Sequence, residues 1–147
     1  MVTSLSKRDV QKPAAHLRYT TAWTTAGTSI AEARHAVSAL LAEAGHQPDS
    51  RPSQDAQLVV SELVTNAVRH APGPGGLTLD VTPDRTALRI TVSDSSPRSP
   101  RLGPHDPHRI GGHGLHLVQQ LCHQVHVIAA GTGKQVIARL RLGRSGA

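Results

Sequence analysis

The stretch Ser61-Glu62-Leu63-Val64-Thr65-Asn66-Ala67-Val68-Arg69-His70-Ala71 reads as the second half of a helix that starts near Pro52. At about 100° per residue, Val59, Val60, Leu63, Val64, Ala67 and Val68 fall on one continuous half of the cylinder, the core half. The other half carries Ser61, Glu62, Thr65, Asn66 and Arg69. Glu62 and Asn66 stand one turn apart at its edge, so their tips can converge on one small site. An Asn carbonyl oxygen is a hard, neutral ligand for one octahedral position on Mg²⁺, the others going to water and phosphate. A Glu can orient or deprotonate a hydroxyl or water. The same spacing also suits a plain solvated face, so the pair gains meaning only from the rest of the chain.

Upstream, Ser29-Ile30-Ala31-Glu32 is a capping-box signature opening a helix with the apolar stripe Ile30, Ala33, Val37, Leu40, Leu41 and Ala44, which Gly45 ends. Pro52 sits where a first helical turn tolerates it. Leu17 and Tyr19 alternate with polar residues from His16 to Thr21, the pattern of an edge strand. Residues 1–14 read as a loose polar arm, leaving 15–143 as one domain.

Downstream, the Pro- and Gly-rich run from Ala71 to Gly76 stops the helix. Leu77, Leu79 and Val81, a turn at Pro83-Asp84-Arg85, then Leu88, Ile90 and Val92 form an antiparallel hairpin with one apolar face. Residues 95–113 hold four Pro and no periodicity, a long loop of the kind that is functional or disordered. A helix follows from Gly114, then a second hairpin of Val125 to Ile128, a turn at Gly131-Thr132-Gly133-Lys134, and Val136 to Leu142. The Gly133-Lys134 pair reads as a hairpin turn with an exposed Lys. The fold class is α+β, a two-layer α/β sandwich with a mixed, mostly antiparallel sheet and the helices on one face.

The chain of 147 residues has one Trp, one Tyr and no Phe, so its core comes from many small side chains and aromatic stacking platforms are missing. Its formal net charge of +6 raises nucleic acid as a partner. However, the arginines are scattered over every expected element, which argues against direct nucleic-acid binding. A lone Cys122 excludes a disulfide framework and a Cys-based zinc site. His105 and His108 have zinc-like spacing but lack an adequate ligand set. No signal peptide or membrane-spanning run is visible, so a cytoplasmic protein without membrane contact is expected.

Two further stations carry chemistry. Asp94, in Val92-Ser93-Asp94-Ser95-Ser96-Pro97, ends a strand where a carboxylate can accept from the exocyclic amine of adenine; ordinary turn chemistry gives the same pattern. Gly111-Gly112-His113-Gly114-Leu115 places glycines before a helix, where backbone N–H groups and the helix dipole favour an anion such as phosphate. A flexible helix entry looks the same.

Taken in order, SELVTNAVRHA, VSDSSP and GGHGLHLV resemble the GHKL ATPase superfamily with its Bergerat ATP-binding fold. The nearest likeness is to small bacterial anti-sigma-factor serine/threonine kinases and their stand-alone actinomycete relatives. The resemblance covers residues 16 to 142. It implies ATP and Mg²⁺ as cofactors, Asn66 as metal ligand, and Glu62 as catalytic base on a protein seryl hydroxyl. It further implies Asp94 on the adenine amine and Ser96 at the entry to a lid running to Ile110. Gly112, His113, Gly114 and Leu115 would stand at the phosphates, and Arg69 within phosphate reach. The family commonly has D-x-G-x-G after the Asp; here Ser96 and Arg98 replace the glycines, in a D-x-S-P form that actinomycete relatives share. Gly133-Lys134 is similar to a G-K before the last strand in those relatives, and a hairpin turn with an exposed Lys is preferred there to an ATP contact.

The function so implied is a protein kinase that phosphorylates a serine of an anti-anti-sigma partner and regulates transcription through a sigma factor. A homodimer is a candidate assembly. The alternatives are an ATP-dependent binding switch without phosphoryl transfer and a basic, non-enzymatic protein- or nucleic-acid-binding module. A complete histidine kinase is not expected, because only the short arm remains for a phosphoacceptor helix.

Overall fold

A computed structural model describes residues 16–24, 30–71, 73–96 and 112–143. Its elements in chain order are β1 (Arg18–Trp23), α1 (Ile30–Glu43), α2 (Arg51–His70), β2 (Gly75–Val81), β3 (Ala87–Asp94), α3 (Gly112–Leu121), β4 (Gln124–Ala130) and β5 (Gly133–Arg141). Each matches a sequence-based expectation to within a few residues. Ser29, Arg98, His105, His108 and Gly111 lie outside the described residues, as do the arm and most of the long loop.

The five strands form one sheet in the order β1-β2-β3-β5-β4. Every pairing is antiparallel, in keeping with the mostly antiparallel sheet expected. The reason lies in α3, which returns the chain to the far end of the sheet. β4 therefore starts there, and β5, running back, docks on β3.

Residues facing one another across an antiparallel ladder share a face. Leu77 and Leu79 of β2, Leu88, Ile90 and Val92 of β3, and Val136, Ala138 and Leu140 of β5 are all buried on the helix side. Each of the Leu, Ile and Val side chains, taken out of water, contributes roughly 1.5–3 kcal/mol. On the other face the register aligns Arg18, Asp80, Arg89 and Arg139 in one row. There Asp80 is 7% exposed and pairs with His16 Nε2 at 3.2 Å, Arg18 Nε at 3.4 Å and an Arg89 guanidinium nitrogen at 3.2 Å.

In α2, Ser50 caps the N-terminus, accepting from Ser53 N, and Pro52 sits in the first turn. Arg69 and His70 occupy the last turn, where positive charge offsets the helix dipole. The buried positions Val59, Val60, Ser61, Leu63, Val64 and Ala67 span an arc of roughly 200° on an ideal helix. The arc is wide because α2 packs against the sheet and against both α1 and α3. Ser61, expected on the polar half, is therefore buried. Gln57, one turn before it, reaches Pro48 O in the connection from α1, which puts this stripe on the α1 side.

Candidate functional site

The ends of the elements bring the three stations to one end of the sandwich. Gly76 of β2 pairs with Ser93 of β3, and only residues 71–74 separate α2 from β2, so the C-terminal end of α2 lies at the Asp94 end of the sheet. Ser95 Oγ ties the two together by donating to Pro74 O at 2.5 Å. At the opposite end, Gln124 pairs with Arg139 and Arg139 with Arg89. Because α3 ends three residues before Gln124, its C-terminus lies there too.

The thiol of Cys122, just past α3, confirms this direction. Burial pushes it up to about 12, and the Asp55 carboxylate near the start of α2 adds to the rise. α3 thus runs antiparallel to α2, with its end beside Asp55. Asp55, Glu62 and Asn66 stand at i, i+7 and i+11, a strip roughly 40° wide on an ideal helix. α3 packs along that flank. Its ten residues rise about 15 Å, the distance along α2 from Asp55 to Thr65. The N-terminus of α3, with Gly112 and Gly114, therefore lies toward the Asn66 end of α2.

Glu62 and Asn66 are both half-buried. Neither side chain takes a hydrogen-bond partner among the described residues. A carboxylate and an amide carbonyl left open beside a helix N-terminus, whose first N–H groups lack intrahelical acceptors, fit a hydrated divalent cation carrying phosphate. Arg69 is exposed and lies one turn beyond Asn66. Leu115 is 4% exposed and belongs to the core; what it offers a ligand is its backbone N–H. The side chain of His113 lies outside what is described.

Asp94 continues the inward phase of Leu88, Ile90 and Val92, so it points toward the helix layer. There it meets Lys134, its partner in the β3–β5 register. Lys134 Nζ lies 2.9 Å from Asp94 Oδ2 and 3.0 Å from Oδ1, with side-chain exposures of 6% and 4% respectively. Ser96 N donates to Asp94 Oδ1 at 2.9 Å, and Ser96 O accepts from Lys134 Nζ at 3.4 Å. Ser96 thus helps hold the Asp94 carboxylate in place.

Lys134, read from sequence as an exposed turn Lys in preference to an ATP contact, is instead buried, and its pairing with Asp94 was not foreseen. Its signal was present: Lys134, Val136, Ala138 and Leu140 share one strand phase. Gly133 permits the approach, since a Cβ there would fall 1.9 Å from Asp94 O. A cleft between α1 and β1, lined by Tyr19, Ala36 and Leu40 among others, contains none of these residues.

Among the described residues, no cluster of three or more His, Cys, Asp or Glu is arranged to hold a metal, and no helix is long and apolar enough to cross a membrane. The family model described as "Histidine kinase-like ATPase domain" matches residues 23–140. No curated protein matches significantly. Among solved structures, the RsbU and RsbW domains of Rv1364c from Mycobacterium tuberculosis align with a TM-score of 0.59 at 18% identity, covering 88% of this chain and 34% of that one. The chain therefore spans about a third of that protein's length. The SiaB–SiaC complex from Pseudomonas aeruginosa aligns with a TM-score of 0.57 at 13% identity, covering 97% of this chain and 99% of that one. At these identities the likeness is one of fold.

Proposed function

The chain belongs to the histidine kinase-like ATPase domain family, and from that premise we propose that it binds ATP with Mg²⁺ and acts as an anti-sigma-factor-type serine/threonine protein kinase. The observation that carries this reading is the convergence of the open Glu62–Asn66 pair, the N-terminus of α3 and the inward Asp94 carboxylate at one end of the sandwich.

Each residue has a role that its position supports. Asp94 accepts from the exocyclic amine of adenine. The first-turn N–H groups of α3, at Gly112, Gly114 and Leu115, hold phosphate oxygens, and Arg69 adds positive charge at the rim. Asn66 supplies a neutral oxygen ligand to the metal, whose contribution when bound is to neutralise charge on the transferred phosphoryl group. Glu62, one turn from Asn66, orients the attacking seryl hydroxyl and takes its proton. The acceptor in this reading is a serine of an anti-anti-sigma partner and the regulated target a sigma factor, in the cytoplasm.

The test is incubation of the purified protein with γ-labelled ATP and Mg²⁺, with and without candidate antagonists encoded beside it. Label should pass to a serine of the antagonist. Glu62→Ala should keep ATP binding and lower transfer by about 100-fold or more. Asn66→Ala should lose Mg²⁺-dependent nucleotide binding. Should both variants bind ATP as the parent does, the metal assignment is wrong. ATP binding by the parent without transfer to any antagonist would leave a nucleotide-dependent binding switch in place of a kinase.

A further inference from the structure

Asp94 and Lys134 are the only buried oppositely charged pair among the described residues whose side chains both face the helix layer, and the geometry of that pair limits what Asp94 can bind. A carboxylate offers about four lone-pair positions. Both positions on Oδ1 are in use, accepting from Ser96 N and from Lys134 Nζ, and Lys134 Nζ lies 2.9 Å from Oδ2 as an ion-pair contact. Oδ2 is the oxygen left to accept a further donor.

Adenine presents one amino N–H beside a ring-nitrogen acceptor, so a single free position is enough for it. Guanine presents two adjacent N–H donors, on N1 and N2, which an unencumbered carboxylate grips with both oxygens at once. That two-point grip needs a free lone pair on each oxygen, and Oδ1 has none once Ser96 N and Lys134 Nζ have donated to it. Gly133 fixes the backbone approach that puts Lys134 there.

We propose that Lys134 is a specificity-determining positioning residue of the nucleobase pocket: by donating to Oδ1 of Asp94 beside Ser96 N it leaves only Oδ2 to accept from a base, which admits adenine and rejects guanine. The inference rests on the nucleotide reading above. It assigns the base preference to the Asp94–Lys134 couple, not to Asp94 alone.

The experiment is calorimetric titration of Mg²⁺-ATP and Mg²⁺-GTP into the parent, K134M, D94N and the D94N/K134M double variant. The parent prefers ATP. K134M narrows that preference by about tenfold or more, chiefly through gained GTP affinity. In the D94N background the same lysine substitution moves the ratio by less than about twofold, because the lysine acts through the carboxylate. A purely structural lysine would lower affinity for both nucleotides alike. A K134M protein that keeps the parent's ratio, or shifts it equally with and without D94N, overturns the proposal.

K134M leaves a buried carboxylate without its partner. If that variant does not fold, K134Q takes its place: it keeps side-chain polarity, loses the charge, and is expected to shift the ratio in the same direction. An unchanged ratio in K134Q overturns the proposal equally. A parent that binds neither nucleotide defeats the nucleotide reading itself, an outcome distinct from a parent that binds ATP with a ratio indifferent to Lys134.

Discussion

Ser61 Oγ is buried and makes no hydrogen bond in the structure, although α2 is otherwise well matched to its surroundings. A buried hydroxyl without a partner costs about 1–3 kcal/mol, and Ser is also a poorer helix former than Ala by a few tenths, about 0.5 kcal/mol. Ser61→Ala should therefore stabilise the protein by about 1 kcal/mol, seen as a higher urea midpoint with an unchanged slope. A lower midpoint would mean that the hydroxyl has a partner that matters. Single residues were the hardest features to read from sequence, for a physical reason visible in both failures. Ser61 and Lys134 were assigned to solvent because they are polar, yet each stands in phase with buried neighbours, and packing decided their fate. For Ser61 the signal was weak, because two flanking helices widen the buried arc beyond the half-cylinder that periodicity marks out. For Lys134 it was readable, since a cation in phase with Val136 and Ala138 demands a buried anion, and Asp94 holds the same phase on β3.

At the scale of the elements, the turn from β4 into β5 sets how closely β5 approaches the end of β3. A methyl group at Gly133 would meet Asp94 O at 1.9 Å and Asp94 C at 2.9 Å, and both are backbone atoms that cannot swing aside. Gly133→Ala should open the ladder at the Asp94–Lys134 pair, cost about 2–3 kcal/mol by overpacking, and weaken ATP binding along with stability. Gly131 is the control. It has φ +60 and nothing within 4 Å of an added Cβ, so Gly131→Ala should cost only about 1 kcal/mol, from left-handed backbone strain, and leave nucleotide affinity unchanged. Thermal melting and calorimetry on the two variants separate these outcomes; equal losses in both would show that the turn, not the close approach, matters. The elements were legible because period and punctuation are local: the alternation of Leu77, Leu79 and Val81, and the stripe from Val59 to Val68, declare strand and helix without reference to the rest. The order of strands was not legible. Whether β4 or β5 docks on β3 depends on where α3 deposits the chain, and that follows from its antiparallel packing on α2, which no local pattern records.

For the whole molecule, the candidate site gathers groups from α2, β3, β5 and the start of α3, which lie far apart in sequence and share one end of the sandwich. A ligand that touches all of them binds the folded chain and not the unfolded one, so its binding energy adds to global stability as RT ln(1 + [L]/Kd). With free nucleotide at a hundred times Kd this amounts to about 2.7 kcal/mol. For a chain of 147 residues that corresponds to a rise in Tm of roughly 5–10 °C. The expected pattern is a full shift for ATP with Mg²⁺, a reduced one after chelation of the metal, and a smaller one for GTP. Asn66→Ala should abolish the metal-dependent part, while Glu62→Ala should retain the full shift, because Glu62 serves the acceptor hydroxyl and not the bound nucleotide. The base-dependent part belongs to Asp94 and Lys134 and should survive Asn66→Ala in proportion to whatever binding remains. A parent whose melting temperature is indifferent to adenine nucleotides at millimolar concentration, with the metal present, does not gather these four elements around a nucleotide, and the shared end of the sandwich would then need a different ligand to explain why Glu62 and Asn66 stand open there.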